Sequence, residues 1–519
     1  MYKQWLFVVL AVIAPSLDCS AAAALAVTTS GSISGVRADG LSVYKGIPFA
    51  AAPVGELRWR PPEAVPPWTG TRTATAFAPA CMQEGVSMPG EVPPQVSEDC
   101  LYLNIWTPAK QAAERLPVIV WIHGGGFRNG SASMPLYWGD RLAHRGVIVV
   151  TIGYRLGPLG FLALPELTRE SSSGSSGNYG LMDQLAALRW VQHNISAFGG
   201  DPNRVTIAGQ SSGAMSVSIL MASPQAKGLF QRAIGESGAL FEPLQLAPSY
   251  LLVNAERDGE KYAATLGAHS LQELRGLPAT RLLGGSNAGG VTHPVIEPYL
   301  LPMAPFAAFA AGRQNDVPLL IGSNAEEARS LTDVTNVRAA TFDADVERSF
   351  GPLPPAIVAA YPHASDAAAQ EARLDLERDL RFGWDMWAWA RLQATGRSPV
   401  YYYSFRQRPP FPTDSLYAGW GASHFAELWY VFDHLNQEPW RWSETDRRVA
   451  QTMSRYWTNF ARSGDPNAGG LPSWPAFTTA SSRVLYIGDP VTVGEVPNIS
   501  SLTVLDAVYS GLRARPPAN

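Results

Sequence analysis

The chain has 519 residues, 46% of them apolar and 16% charged, which is enough apolar sequence to bury a large core. Its 40 basic and 44 acidic residues give a net charge of −4. This near-neutral balance, without any run of Lys or Arg, argues against nucleic acid as a partner.

The chain opens with a segment typical of export. Lys3 precedes an apolar block at residues 5–14, and small residues dominate residues 20–26. A positive start, a short apolar core and a small-residue zone predict a signal peptide over residues 1–26. About ten apolar residues are too few to span a bilayer, which needs roughly twenty. We therefore expect the mature protein, residues 27–519, to be secreted or periplasmic, with no stable membrane insertion.

Three cysteines occur, and the first, Cys19, lies within the predicted signal. Cys19 would suit a lipoprotein, but Asp18 before it is not the small residue that such processing needs. In an exported protein the other two, Cys81 and Cys100, most simply form one disulfide. The bridge would close a loop of about 18 residues and stabilise the fold by about 3 kcal/mol in the chain-entropy treatment. Two free buried thiols are the alternative.

Short apolar runs alternate with helical patterns through most of the chain. Strands are predicted at residues 116–122, 147–152, 205–208, 317–321 and 400–405, and a helix at residues 182–193. Continuous apolar strands are typical of a parallel sheet that is covered on both faces. The alternation predicts one α/β domain. A β-rich extension is expected at residues 28–107, and mostly helical insertions at residues 243–310 and 354–391.

A serine lies in a predicted tight turn between a strand and a helix. The sequence Gly-Gln-Ser-Ser-Gly at residues 209–213 directly follows the predicted strand 205–208, and small and apolar residues come next. Side chains at the glycine positions would collide, and the strained turn would expose Ser211 at the positive end of the helix. The pattern predicts a nucleophile. A similar sequence at residues 235–239 has its glycine one place early, so Ser237 is interpreted as structural.

A serine hydroxyl needs a base, normally a histidine oriented by a carboxylate, and here the expected chain order is serine, acid, histidine. Five of the eight histidines follow Ser211. We favour His424, which lies in a glycine-bearing loop after a predicted strand, and we expect His434 at the surface. Glu326 and Glu327 both follow the strand that ends at residue 321, and spacing alone does not choose between them.

The sequence His-Gly-Gly-Gly-Phe at residues 123–127 follows the predicted strand 116–122. Acyl transfer develops an oxyanion, which needs backbone N–H donors already in place. Three glycines let the backbone approach a ligand closely, and the loop lies upstream of the serine turn, where such an element is expected. The Ser212 N–H group would complete the hole, because it follows the nucleophile.

Further motifs cover most of the predicted mature chain. They are YKGIPFA at 44–50, SEDCLYLN at 97–104, GNYGLMDQ at 177–184, FGGDP at 198–202, NFA at 459–461 and GDPN at 464–467. With the serine turn, they resemble the type-B carboxylesterase and cholinesterase family of α/β-hydrolases. The resemblance implies an α/β-hydrolase fold, in which helices cover a central, mostly parallel sheet and helical insertions form the substrate cavity.

The resemblance also implies roles for individual residues. The family's acid precedes a small residue, which points to Glu327. The implied catalytic residues are Ser211, Glu327 and His424, and the implied oxyanion donors are Gly125, Gly126 and Ser212. Cys100 matches a disulfide cysteine of the family, which supports a bridge to Cys81.

Three positions depart from or vary within the family pattern. Gln210 stands where Glu is common, Ser212 where alanine is usual, and Arg128 where many relatives have an uncharged residue. The change at 212 leaves the backbone donor intact, so we expect activity. Arg128 and Gln210 would make the site less hostile to negatively charged acyl groups.

We therefore expect an exported serine carboxylesterase that acts on a small-molecule ester through an acyl-enzyme, without a metal or organic cofactor. A more specialised alternative is an esterase for polycarboxylate esters of the tricarballylate type, such as the side chains of fumonisin-like toxins. A non-catalytic, adhesion-type relative is disfavoured because the whole triad is present. The sequence makes no prediction of oligomeric state.

Overall fold

The computed structural model describes residues 23–86, 88, 91–284 and 288–515. Its strands are β1 (Ala23–Thr28), β2 (Gly31–Ala38), β3 (Leu41–Pro48), β4 (Thr71–Thr73), β5 (Ala80–Cys81), β6 (Val96–Ser97), β7 (Tyr102–Thr107), β8 (Leu116–Ile122), β9 (Ile148–Ile152), β10 (Gly200–Gln210), β11 (Arg232–Glu236), β12 (Leu319–Asn324), β13 (Val400–Phe405), β14 (Arg483–Ile487) and β15 (Thr492–Glu495). The α-helices are α1 (Asp140–Ala143), α2 (Gly157–Phe161), α3 (Pro165–Glu170), α4 (Tyr179–Asn194), α5 (Ser212–Ala222), α6 (Leu252–Thr265), α7 (Leu271–Gly276), α8 (Ala279–Leu283), α9 (Pro305–Ala310), α10 (Phe342–Phe350), α11 (Pro355–Ala359), α12 (Asp366–Arg378), α13 (Trp384–Gln393), α14 (Leu428–Val431), α15 (Glu444–Ser463) and α16 (Ile499–Arg513).

One large sheet organises the fold, with the strand order β1-β2-β3-β7-β9-β8-β10-β11-β12-β13-β14-β15 and β4 beside β2. The run from β9 to β14 is parallel throughout, whereas β1, β2, β3 and β7 pair in antiparallel fashion at one edge and β15 at the other. A central parallel run with helical crossovers is the α/β arrangement that the alternating sequence predicts.

Strand β8 shows why the central strands read as continuous apolar runs. Val118, Val120 and Ile122 pack into one hydrophobic cluster, while Ile119 and Trp121 pack into a second cluster on the opposite face. Successive side chains on a strand point to opposite faces, so a strand covered on both sides is apolar at every position. The five predicted strands are confirmed, although β10 extends beyond residues 205–208 at both ends and β12 begins two residues later and ends three residues later than predicted.

The predicted N-terminal boundary falls inside a strand. Strand β1 begins at Ala23 and pairs with β2, so residues 23–26 of the predicted signal form part of the sheet. Residues 1–22 lie outside the described residues, and removal of residues 1–26 stays a prediction. Across the described ranges, no helix is long and apolar enough to cross a bilayer.

Two buried contacts explain motifs that the sequence showed. Cys81 and Cys100 form the predicted disulfide, and free thiols are thereby excluded. In the segment GNYGLMDQ, Asp183 accepts hydrogen bonds from Arg155 Nε at 2.8 Å and Nη2 at 2.7 Å, with both side chains buried. Removing one partner would leave an uncompensated buried charge, which explains why the pair occurs together.

Candidate active site

Ser211 is the single residue between β10 and α5. Its φ of 57° and ψ of −126° fall where residues with a side chain are uncommon. A Cβ added at Gly209 would lie 2.5 Å from the Gly213 carbonyl carbon, and one added at Gly213 would lie 2.1 Å from the Ile122 oxygen. Strand, turn and helix therefore close only because both flanking positions are glycine, as predicted.

His424 and Glu327 form a buried pair near the carboxyl ends of β13 and β12. His424 Nδ1 lies 2.7 Å from Glu327 Oε2, and neither side chain is more than 2% exposed. The other oxygen, Glu327 Oε1, accepts from the Asn324 backbone N–H at 2.6 Å. A carboxylate on Nδ1 holds the imidazole with its proton at that nitrogen, which leaves Nε2 able to accept another.

Glu326 makes different contacts from its neighbour. Its carboxylate pairs with Arg408 at 2.6 Å and with Arg329 at 3.0 Å, and it accepts from the Ala422 N–H at 2.8 Å. These contacts join Glu326 to the loop that carries His424. Among the described residues, Glu326 makes no contact with the imidazole. Of the two candidate acids, the structure therefore brings only Glu327 to the histidine.

Away from Glu327, the His424 ring contacts Gln210 at Nε2 and Phe382 on one face. Gln210 Nε2 lies 3.3 Å from His424 Nε2, and the Phe382 ring stacks on the imidazole at 4.6 Å between centroids. No hydrogen bond joins the Ser211 hydroxyl to His424 within the described part of the chain. Such bonds are often long without a substrate and tighten when one binds. The carboxamide of Gln210 contacts the nitrogen that a base would use.

The loop at residues 123–127 lies against the serine turn. A Cβ added at Gly124 would lie 2.7 Å from the Gln210 carbonyl oxygen and 3.0 Å from Ser211 Cβ. Gly125 and Gly126 have φ values of 106° and 63°, which glycine adopts without strain. Among the described residues, no acceptor is present for the N–H groups of Gly125, Gly126 and Ser212. Three unpaired donors beside the serine are what an oxyanion hole requires.

Two further carboxyl groups, Glu236 and Glu427, are fully buried near the His424–Glu327 pair. The Asn324 side chain donates to Glu427, and Trp457 Nε1 donates to Glu236 Oε1 at 2.7 Å. Burial raises the pKa of Glu236 to about 8. Burial, with the charges of Glu236 and Glu327, raises the pKa of Glu427 well above its usual value. Burial therefore favours the neutral form of both carboxyl groups.

His434 was expected at the surface, and that prediction was wrong. The side chain is buried, with Nδ1 3.1 Å from the Leu136 carbonyl oxygen and Nε2 3.0 Å from Asp140 Oδ1. The segment that contains these two residues covers the ring and supplies a partner for each nitrogen, so burial leaves neither unsatisfied. Sequence periodicity could not show this, because the covering segment lies almost 300 residues upstream.

Residues 22–503 match the sequence model of the Carboxylesterase family. The chain belongs to this family. It is 37% identical over 493 residues to the fumonisin B1 esterase of Sphingopyxis macrogoltabida. The aligned residues cover 91% of this chain and 88% of that protein. It is 36% identical over 487 residues to the para-nitrobenzyl esterase of Bacillus subtilis strain 168, covering 91% and 96% respectively.

Solved structures of similar proteins agree with this assignment. A PNB esterase superposes with a TM-score of 0.80 at 34% identity, covering 93% of this chain and 99% of that one. Carboxylesterase EST55 of Geobacillus stearothermophilus gives a TM-score of 0.81 at 34% identity, covering 92% and 99%. The chain is therefore a carboxylic ester hydrolase with the α/β-hydrolase fold.

Two departures from the carboxylesterase pattern have different surroundings. Gln210 is completely buried, and its side-chain nitrogen lies 3.3 Å from His424 Nε2. Arg128 is exposed immediately after the loop at 123–127, and a Cβ added at Gly289 would lie 3.2 Å from its Nη1. Within the described ranges no carboxylate pairs with Arg128.

Sequence reasoning missed Phe382 and Tyr154. Phe382 lies in a π-helical segment, Asp379–Gly383, inside the insertion that was predicted to line the cavity, but no single-residue signal marked it. Tyr154 follows β9, and its hydroxyl donates to the His123 carbonyl oxygen at 2.8 Å. Burial lowers the pKa of His123 to about 4, so the first residue of the loop is neutral near pH 7.

Proposed function

We propose that this carboxylesterase is an exported serine hydrolase that cleaves esters through an acyl-enzyme on Ser211. The observation that carries the proposal is the buried His424–Glu327 pair, 2.7 Å apart, at the same sheet edge as the strained serine turn. Export is supported by the Cys81–Cys100 disulfide and by the signal-like N-terminus.

In the proposed reaction, His424 Nε2 takes the proton of Ser211 as its Oγ attacks the ester carbonyl carbon. The negative charge that develops on the carbonyl oxygen is bound by the N–H groups of Gly125, Gly126 and Ser212. The alcohol leaves with the proton from His424, and water then attacks the acyl-serine with the same histidine as base. The bond between the acyl carbon and Ser211 Oγ breaks, the acid is released, and His424 returns the proton to Ser211. Each step uses only side chains and backbone of this chain, with no metal or organic cofactor.

Competition between water and methanol tests the acyl-enzyme. Esters of one acid with different alcohols should give the same ratio of methyl ester to free acid, because each passes through one common intermediate. The ratio is measured by chromatography at a fixed methanol concentration for ethyl, phenyl and nitrophenyl esters. A ratio that changes with the departing alcohol would contradict a shared acyl-serine.

A narrower substrate class is favoured by the surroundings of Arg128. We infer that the acyl group of the natural ester carries free carboxylates, as polycarboxylate esters of the tricarballylate type do. The Arg128 guanidinium is exposed and has no carboxylate partner among the described residues, so it can pair with a substrate carboxylate. The similarity to a fumonisin B1 esterase supports this inference.

Replacing Arg128 by alanine should separate charged from neutral esters. For hemisuccinate and butyrate esters of the same alcohol, kcat/KM should fall about 10-fold on the first and less than about 2-fold on the second. Arg128→Lys should keep most of the preference for the charged ester. Arg169 is an exposed arginine on α3, and Arg169→Ala controls for the change in net charge. Equal losses on both esters would contradict the assignment.

A further inference from the structure

We propose that the Ser212 side chain is a positioning group that fixes the oxyanion loop, residues 123–127, against the serine turn. The inference deepens the proposed function and rests on it, because fixing this loop matters only if its N–H groups bind the reacting oxygen. Ser212 is one of the three proposed donors through its backbone. Its hydroxyl would therefore hold the other two donors in register with the first.

The first contact is at the end of the loop. The Phe127 backbone N–H donates to Ser212 Oγ at 3.2 Å, and both residues are buried. Phe127 has a φ of 59°, a strained value for a residue with a side chain. Its N–H belongs to the peptide unit that begins at Gly126, so this bond fixes the plane next to a proposed donor.

The second contact is at the start of the loop. The Tyr154 hydroxyl donates to the His123 carbonyl oxygen at 2.8 Å, and the two rings stack at 4.4 Å. Burial raises the pKa of Tyr154, and the neighbouring Ser212 side chain opposes that rise. The Ser212 hydroxyl therefore lies between the groups that anchor the two ends of the loop.

Two hydrogen bonds hold the two ends of the loop. The Phe127 N–H donates to Ser212 Oγ, and the Tyr154 hydroxyl donates to the His123 carbonyl oxygen. Alanine at 212 would leave the buried Phe127 N–H without an acceptor, which is costly away from water. The loop would move to recover a partner, and its two donors would lose their alignment with Ser212 N–H.

Kinetics and two matched inhibitors distinguish positioning from plain stability. Ser212→Ala should lower kcat/KM for a nitrophenyl ester about 10-fold, because loosening the donors costs less than the 10²–10³-fold loss of removing one. The Ki of an alkyl trifluoromethyl ketone, which forms a tetrahedral adduct, should rise by the same factor. The Ki of the unfluorinated methyl ketone should stay within about 2-fold. Ser218→Ala, on the same helix, should match wild type in all three.

Tyr154→Phe provides the coupling test. Because Ser212 and Tyr154 fix the two ends of the same short loop, the double variant should be no slower than about twice the slower single variant. The proposal is overturned if Ser212→Ala keeps wild-type kcat/KM whatever its melting temperature, if both ketones weaken equally, or if the double variant shows the product of the single losses. Turnover that survives Ser211→Ala would instead remove the proposed mechanism, so the two failures are distinct.

Discussion

Ser211→Ala should lower kcat by about 10⁴- to 10⁶-fold while the free energy of unfolding stays within about 1 kcal/mol of wild type. The hydroxyl is the attacking group of the proposed mechanism, and its oxygen makes no hydrogen bond with the described residues that the fold would miss. Alanine keeps a Cβ, so the turn with φ of 57° is neither relieved nor strained further. Ester hydrolysis and chemical denaturation measure the two quantities.

Ser237→Ala is the matched control for this substitution. Ser237 follows β11, the next strand in the sheet, and also has a positive φ, 53°. Its Oγ is buried without a hydrogen-bond partner in the part of the chain that the structure describes. Losing that hydroxyl should change kcat less than about 3-fold. Inactivation by Ser237→Ala with activity kept in Ser211→Ala would reverse the assignment.

Glu327→Gln should reduce kcat by about 10³- to 10⁴-fold at neutral pH. The carboxylate accepts from His424 Nδ1 at 2.7 Å, and it would stabilise the imidazolium that forms when Ser211 is deprotonated. An amide of the same shape removes that charge and can donate to Nδ1, which selects the wrong tautomer. The expected loss of kcat therefore comes from the lost charge and the changed tautomer, and not from a change in the shape of the site. Steady-state rates at pH 7.5 measure it, and near-ultraviolet circular dichroism checks the packing.

Glu326→Gln distinguishes the two neighbouring acids. Glu326 pairs with Arg408 and Arg329 at the partly exposed edge of the same loop, where each ion pair contributes little. We expect kcat within about 5-fold of wild type. A severe loss in Glu326→Gln together with a mild one in Glu327→Gln would move the acid to Glu326.

Much of the sheet could be predicted because its strands carry their own signal. Strand β8 was predicted at its observed bounds because every one of its positions is apolar. The serine turn could also be predicted locally. A Cβ at Gly209 or Gly213 would collide with nearby backbone atoms, so the glycines in the sequence mark the turn. Strand order, by contrast, depends on packing between segments far apart in the chain.

The environment of the histidines could not be predicted in the same way. Spacing left Glu326 and Glu327 equal, and the family resemblance pointed to Glu327. The fold supplies the physical reason, because a one-residue step turns one carboxylate to His424 and the other to Arg408. The stacking of Phe382 and the burial of His434 both depend on segments that approach from elsewhere in the sequence. Such contacts leave no local pattern to recognise.

The role of Gln210 also needed the structure. A change from an acid to an amide beside the nucleophile suggested weaker repulsion of anionic substrates. Its side chain is instead completely buried, with the amide nitrogen 3.3 Å from His424 Nε2. Anionic selectivity is therefore expected to depend more on Arg128 than on Gln210, because only Arg128 is exposed.

The central claim is that one serine, activated by His424, forms the covalent bond with substrate. An activated alkyl phosphonate reacts preferentially with an activated serine, and peptide mapping by mass spectrometry locates the adduct. We predict one phosphonate per chain, on the peptide that contains Ser211, with no adduct in Ser211→Ala. An unlabelled wild-type enzyme, or a label that persists in Ser211→Ala, would contradict the account.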